Sequence, residues 1–116
     1  MFDLCLFAGT TEGRRLVEFL RETPLSVYVA VATEYGETLV PQGSNITVHA
    51  GRLDRAQMAA LFARERFALV VDATHPFAAE ATGNIASAAG ETGIEVVRLV
   101  REEESAVAEA TYAASI

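Results

Sequence analysis

The chain has 116 residues, 51% of them hydrophobic and 22% charged, with a mean hydropathy of +0.24; that fits one folded domain and excludes a disordered chain. Its formal net charge of -7, with nine cations, all arginine, among sixteen carboxylates, excludes nucleic acid as an electrostatic partner. A single cysteine, Cys5, excludes a disulfide framework, and the longest apolar run, Leu25 to Ala32, is too short to cross a bilayer, so the expectation is a cytoplasmic protein with no membrane partner.

Phe2 to Ala8 is an almost unbroken apolar run, the pattern of a strand buried on both faces in a parallel sheet. It stops at Gly9-Thr10-Thr11, with Thr10 or Thr11 available as N-cap of a helix whose apolar face is Leu16, Val17, Phe19 and Leu20 and which ends at Thr23-Pro24. Leu25 to Ala32 reads as a second strand, Thr33-Glu34-Tyr35-Gly36 as its exit loop, and Pro41 to Asn45 as a turn. Ile46 to Ala50 is a third strand, and Asp54 caps a helix with Met58, Leu61 and Phe62 on its inner side. Phe67 to Val71 is a fourth strand ending at Asp72. Pro76 then opens a helix that runs to about Glu91, with Gly83 and Gly90 expected where it packs closely on the sheet. Ile94 to Val100 is the fifth strand.

Strands alternating with helices imply right-handed βαβ crossovers, hence an α/β, Rossmann-like three-layer sandwich with a five-stranded parallel sheet. The expected order, 3-2-1-4-5, puts the switch point between the first and fourth strands, where ligands bind at the carboxyl edge. Residues 1–100 then form a dinucleotide-binding domain. Residues 101–116 read as a linker or the start of a second domain that is missing, because nothing in them returns to the sheet.

Four segments carry candidate chemistry. Gly9-Thr10-Thr11-Glu12-Gly13 stands where such a domain binds pyrophosphate, since glycine permits close backbone approach and a helix amino end offers N–H groups. The usual third glycine is absent, so a plain tight turn stays open, and no Gly-Lys-Ser/Thr follows to make a triphosphate loop. Glu34, with Thr33, Tyr35 and Gly36, stands about twenty residues on, where a carboxylate binds ribose hydroxyls and favours NADH; a solvated loop glutamate is the other reading. Gly51 and Arg52 leave the third strand on the same edge, with Arg52 directed to a cofactor's adenosine end or its phosphates, or else to water. Asp72-Ala73-Thr74-His75-Pro76-Phe77 leaves the strand flanking the switch point, and His75 there can donate a hydrogen bond or a proton, or with Thr74 simply cap the helix. One histidine without a second ligand in register gives no metal site; His49 reads as structural or as exposed at a sheet edge, and Cys5 as a small buried hydrophobe.

FAGTTEGR at residues 7–14, ATEYG at 32–36, GRLD at 51–54 and DATHPFA at 72–78 together resemble the successive signature segments of the precorrin-6A and cobalt-precorrin-6A reductases. The resemblance implies reduction of a ring double bond of a tetrapyrrole, a corrinoid precursor, by nicotinamide hydride during cobalamin biosynthesis, in a cleft between two domains. It implies that Gly9, Thr10, Thr11, Glu12, Gly13 and Arg14 line the dinucleotide site, with Thr33, Glu34, Tyr35, Gly36, Gly51 and Arg52 towards adenosine. Asp72, Ala73, Thr74, His75, Pro76 and Phe77 fall near nicotinamide and substrate, with His75, Asp72 and Thr74 as the catalytic set. ATEYG is similar to the cobalt-precorrin branch, which favours NADH and leaves NADPH possible.

Two departures stand out: family members are longer, and their Arg-Pro after the fifth strand is Arg101-Glu102 here. This chain is therefore expected to be the cofactor-binding half. The competing readings are a dihydrodipicolinate-reductase-like enzyme and a non-catalytic NAD(H) sensor, and a homo-oligomer is left open.

Overall fold

The computed structural model describes residues 2–100, so the expectation for residues 101–116 lies outside the described residues. Its elements in chain order are β1 (Leu4–Ala8), α1 (Thr11–Leu20), β2 (Val27–Val31), α2 (Glu34–Thr38), β3 (Ile46–Ala50), α3 (Arg55–Glu65), β4 (Leu69–Ala73), α4 (Ala79–Thr92) and β5 (Val96–Arg98). All five strands are parallel, as the alternating pattern predicts, and their order β3-β2-β1-β4-β5 is the one expected of a Rossmann-like domain. β1 and β4 are neighbours in register, Leu4 opposite Leu69 and Phe7 opposite Asp72, so the carboxyl ends of both meet at the switch point.

Period-two alternation splits the core between the two faces of the sheet. Leu6, Ala8, Val29, Val31, Val71 and Ala73 join Val17 and Leu20 of α1 on one side. Cys5, Phe7, Ala30 and Val70 join Met58, Leu61 and Phe62 of α3 and Ile85, Ala88 and Ala89 of α4 on the other. Phe62 is fully buried and meets Phe7 and Phe67 edge-on at centroid distances of 6.1 Å; each such side chain contributes about 1.5–3 kcal/mol by burial. Cys5 is fully buried, and burial pushes its thiol pKa far up, as suits a small hydrophobe. His49 lies in the edge strand β3, stacked on Tyr28 at 6.2 Å.

Several boundaries differ from the sequence reading. Phe19 is 66% exposed: the buried stripe of α1 is Gly13, Val17 and Leu20, and Phe19 lies about 200° around the helix from Val17. β2 starts at Val27, leaving Leu25 exposed, and β5 is confined to Val96–Arg98. Pro76 does not open α4, which begins at Ala79 after a turn closed by Ala78 N–H donating to the His75 carbonyl at 2.9 Å. Gly83 and Gly90 face open space rather than the sheet, so α4 packs through Ile85, Ala88 and Ala89. The Thr33–Gly36 segment is not a plain loop, because Thr33 caps α2 and its hydroxyl accepts from Gly36 N–H at 2.9 Å. β4 runs through Asp72 to Ala73.

Candidate functional site

The turn from β1 into α1 is built by one hydroxyl. Thr10 Oγ1 accepts from Gly13 N–H at 3.1 Å, capping α1, and donates to the Ala73 carbonyl at 3.0 Å, which binds the turn to the end of β4. Gly9 N–H donates to the same carbonyl at 3.1 Å. Gly13 sits where α1 crosses that strand end: a Cβ there would come within 2.9 Å of Ala73 Cβ. Arg14 Nη2 donates to Thr11 Oγ1 at 3.1 Å, folding a guanidinium over the first turn of α1. That turn therefore gathers a cation, the positive end of the helix dipole and the N–H of Thr11, which has no acceptor inside an α-helix.

Beside this turn, on the α3 and α4 side of the carboxyl edge, is a cavity of about 610 Å³, within the roughly 300–1,000 Å³ of small-molecule pockets. Phe7, Ala30 and Met58 give it an apolar floor, while Gly51, Arg52, Asp54 and Gln57 form one wall and Thr74, His75, Phe77 and Glu80 the other. Gly9 is the hinge between turn and cavity, for the site of its absent Cβ lies 3.5 Å from Thr74 Cα and 3.6 Å from His75 N. Gly51 adopts φ +132, a conformation that favours glycine, and its N–H donates to the Val31 carbonyl at 2.9 Å. Asp54 closes a capping box with Gln57, accepting from Gln57 N–H at 2.7 Å while Gln57 Oε1 accepts from Asp54 N–H at 2.8 Å. The predicted cap is thus also part of the wall.

Among the expected site residues, Gly9, Gly51, Arg52, Thr74 and His75 come together around the cavity. Thr10, Thr11, Glu12, Gly13 and Arg14 form the adjoining turn. Thr33, Glu34, Tyr35 and Gly36 lie at the start of α2 and do not line the cavity, although Ala32 before them does. Pro76 and Ala73 do not line it either; Ala73 is fully buried behind Gly9 and Gly13. His75 Nδ1 accepts from Phe77 N–H at 3.2 Å, so neutral His75 carries its proton on Nε2. Its ring lies 5.3 Å from that of Phe77, which is 88% exposed.

Asp72 does not reach the ligand side. It is 1% exposed, inside β4, facing α4. Its Oδ1 accepts from Thr74 N–H (3.0 Å) and Thr74 Oγ1 (2.7 Å), and its Oδ2 from Thr82 Oγ1 (2.8 Å). Arg98 Nη1 pairs with Oδ1 at 3.1 Å. Neither Thr82 nor Arg98 is in the sequence reading. The available signal was the lone charge Asp72 at the end of an apolar strand, because a buried charge calls for a partner; with Glu95 and Arg98 both in the fifth strand as read, the sequence did not single out Arg98.

A doubly wound α/β domain with a glycine turn and a cavity at its switch point belongs to the class of ligand-binding α/β domains. Residues 3–116 match the family described as Precorrin-6x reductase CbiJ/CobK, and the chain belongs to that family. It is similar to the cobalt-precorrin-6A reductase of Methanothermobacter thermautotrophicus, with 36% identity over 102 residues, 87% of this chain and 34% of that one. It is also similar to the precorrin-6A reductase of Sinorhizobium sp, at 37% over 101 residues, 86% of this chain and 38% of the relative. A solved structure of CobK precorrin-6A reductase superimposes with a TM-score of 0.74 at 28% identity, covering 87% of this chain and 38% of that chain. This chain thus spans little more than a third of the length of these relatives.

Proposed function

We propose that this chain is the cofactor-binding half of an NAD(P)H-dependent oxidoreductase that reduces a ring double bond of precorrin-6A or cobalt-precorrin-6A in cobalamin biosynthesis. Family membership supports the substrate class. The observation that carries the cofactor half of the reading is the turn Gly9–Arg14 at the switch point, where a helix amino end, a guanidinium and a side-chain-free glycine converge beside a cavity of nucleotide size. These groups fit a pyrophosphate, and the apolar floor at Phe7 and Met58 fits a flat heterocycle. A nicotinamide cofactor, when bound, supplies the hydride.

The chain's own residues bind and orient. Thr11 N–H and Arg14 neutralise phosphate charge, Arg52 stands at the cavity mouth, and His75 offers its Nε2–H as a donor towards the bound ring systems. Exposed Phe77 beside it gives the corrinoid an apolar surface. Glu34, after β2, favours NADH by accepting from ribose hydroxyls, and the acceptor lies between this domain and the remainder of the longer enzyme. Titration of the chain with NADH and NADPH, followed by cofactor fluorescence, tests this: saturable binding with NADH preferred is expected. Preference for NADPH would move the ribose contact to Arg14 or Arg52, and binding of neither would overturn the cofactor assignment.

A further inference from the structure

Asp72 and Arg98 are register partners in β4 and β5, and both face α4. Asp72 is the buried charge among the described residues, and both of its oxygens are taken up inside the protein, by Thr74, Thr82 and Arg98. Arg98 Nη1 also lies 3.3 Å from both the Thr74 carbonyl and Thr74 Oγ1. Three elements thus converge on residue 74, the first of the cavity wall that continues through His75 and Phe77. The N-cap of α4 adds no side-chain bond to the turn that follows, since Ala78 makes none. The pair is weak evidence of stabilisation by itself, because apolar side chains of similar volume often serve such a site as well as an ion pair does.

We infer that Asp72 and Arg98 are positioning residues: without touching the ligand, they hold Thr74 and so set the backbone path by which His75 and Phe77 line the cavity. This rests on the reading of that cavity as part of the cofactor site. Thr82 completes the clamp from α4. The consequence is that ligand affinity depends on a pair of strand residues shielded from the ligand, through the geometry of one turn.

The test compares the chain with Arg98→Met, the apolar double variant Asp72→Leu/Arg98→Met, and Thr82→Val. Three quantities are read: melting temperature, backbone amide shifts of Thr74 to Ala78 without ligand, and NADH and NADPH affinity. Arg98→Met alone should lower the melting temperature by stranding the carboxylate. The double variant should recover part of it, since Thr74 and Thr82 still lose their acceptor, yet show displaced amide signals at His75 and Phe77 and bind cofactor at least about tenfold more weakly. A double variant that folds with unchanged amide shifts and affinity overturns the proposal. Should the double variant fail to fold, Thr82→Val decides: its 74–78 amides must move, with weaker binding. Should the unaltered chain bind neither nucleotide, the cofactor reading falls while the amide shifts still decide the positioning claim.

Discussion

The α carbon of Gly13 and the methyl of Ala73 meet where α1 crosses the end of β4, so closely that a Cβ on residue 13 would lie 2.9 Å from that methyl. The same crossing is stitched by Thr10 Oγ1 to the Ala73 carbonyl. A glycine here is a packing requirement, met by a residue 60 positions away in sequence. Gly13→Ala should therefore destabilise the fold by about 1–3 kcal/mol through overpacking, despite the better helix propensity of alanine. Adding Ala73→Gly should return part of that loss, a coupling of roughly 1 kcal/mol in a double-mutant cycle read by denaturant unfolding. Independent, additive effects would refute the contact.

The capping box at the start of α3 makes a second stability prediction. Asp54→Ala removes the acceptor for Gln57 N–H and should cost about 1 kcal/mol, whereas Asp54→Asn should cost little. Because Asp54 and Gln57 also line the cavity, the alanine variant should weaken nucleotide binding as well as lower the melting temperature.

The tautomer of His75 is open to direct observation. With Nδ1 accepting from Phe77 N–H, ¹⁵N spectra of the neutral ring should show the proton on Nε2. In a full-length member of the family, His75→Ala should lower turnover by roughly 10²–10⁴-fold if the ring acts as donor to the reacting groups. A loss of about threefold or less would reduce His75 to a support for the turn.

Alkaline pH should destabilise the protein through one buried acid, Cys5, and to a lesser degree through the partly buried Tyr28. Burial raises the Cys5 thiol far above its ordinary range, and the Tyr28 phenol is raised by burial first, then by Cys5 and Glu65, with Arg64 acting the other way. Both pKa values are higher folded than unfolded, so the unfolded chain releases these protons first. Their contribution is fully present below the unfolded values, about 8.5 for a thiol and about 10 for a phenol, and is lost as pH rises through the folded ones. Denaturant midpoints should fall from about pH 9 upward, and less steeply for Cys5→Ala. The thiol should react with an aromatic disulfide reagent at the rate of unfolding. Rapid labelling of folded protein would contradict its burial.

Turnover makes the last prediction. Hydride transfer requires donor and acceptor at near-contact distance, held from both sides, and this chain covers 34% to 38% of the relatives compared above. It should bind a nicotinamide cofactor without substantial reduction of a corrinoid precursor. Steady reduction by this chain alone would show that the fold described here holds the whole catalytic cleft.

Local pattern was enough for the order of elements along the chain and for a parallel sheet, because buried strands and amphipathic helices are written in contiguous residues with periods of 2 and 3.6; the 3-2-1-4-5 order came from the Rossmann-like class those elements imply. The cap at Asp54, the inner face of α3 and the burial of Cys5 are legible for the same reason: each depends on neighbours within one or two turns. The four segments carrying the family resemblance were legible as motifs, and two of them, around Gly9 and His75, do meet across the β1–β4 junction. Tertiary structure alone decided what Asp72 does. Its place beside Thr74 and His75 in sequence made it look like a ligand-facing carboxylate, but two more residues of β4 turned it inward, and its partners Thr82 and Arg98 come from other elements. It also decided that Phe19 faces water, that Pro76 precedes α4 instead of starting it, and that Gly13 rather than Gly83 or Gly90 marks the close helix-to-strand contact. The roles of Asp72 and Gly13 rest on pairings between residues far apart in the chain, for which local spacing holds no signal, whereas Phe19 and Pro76 were decided by helix phase and by a turn closed within three residues.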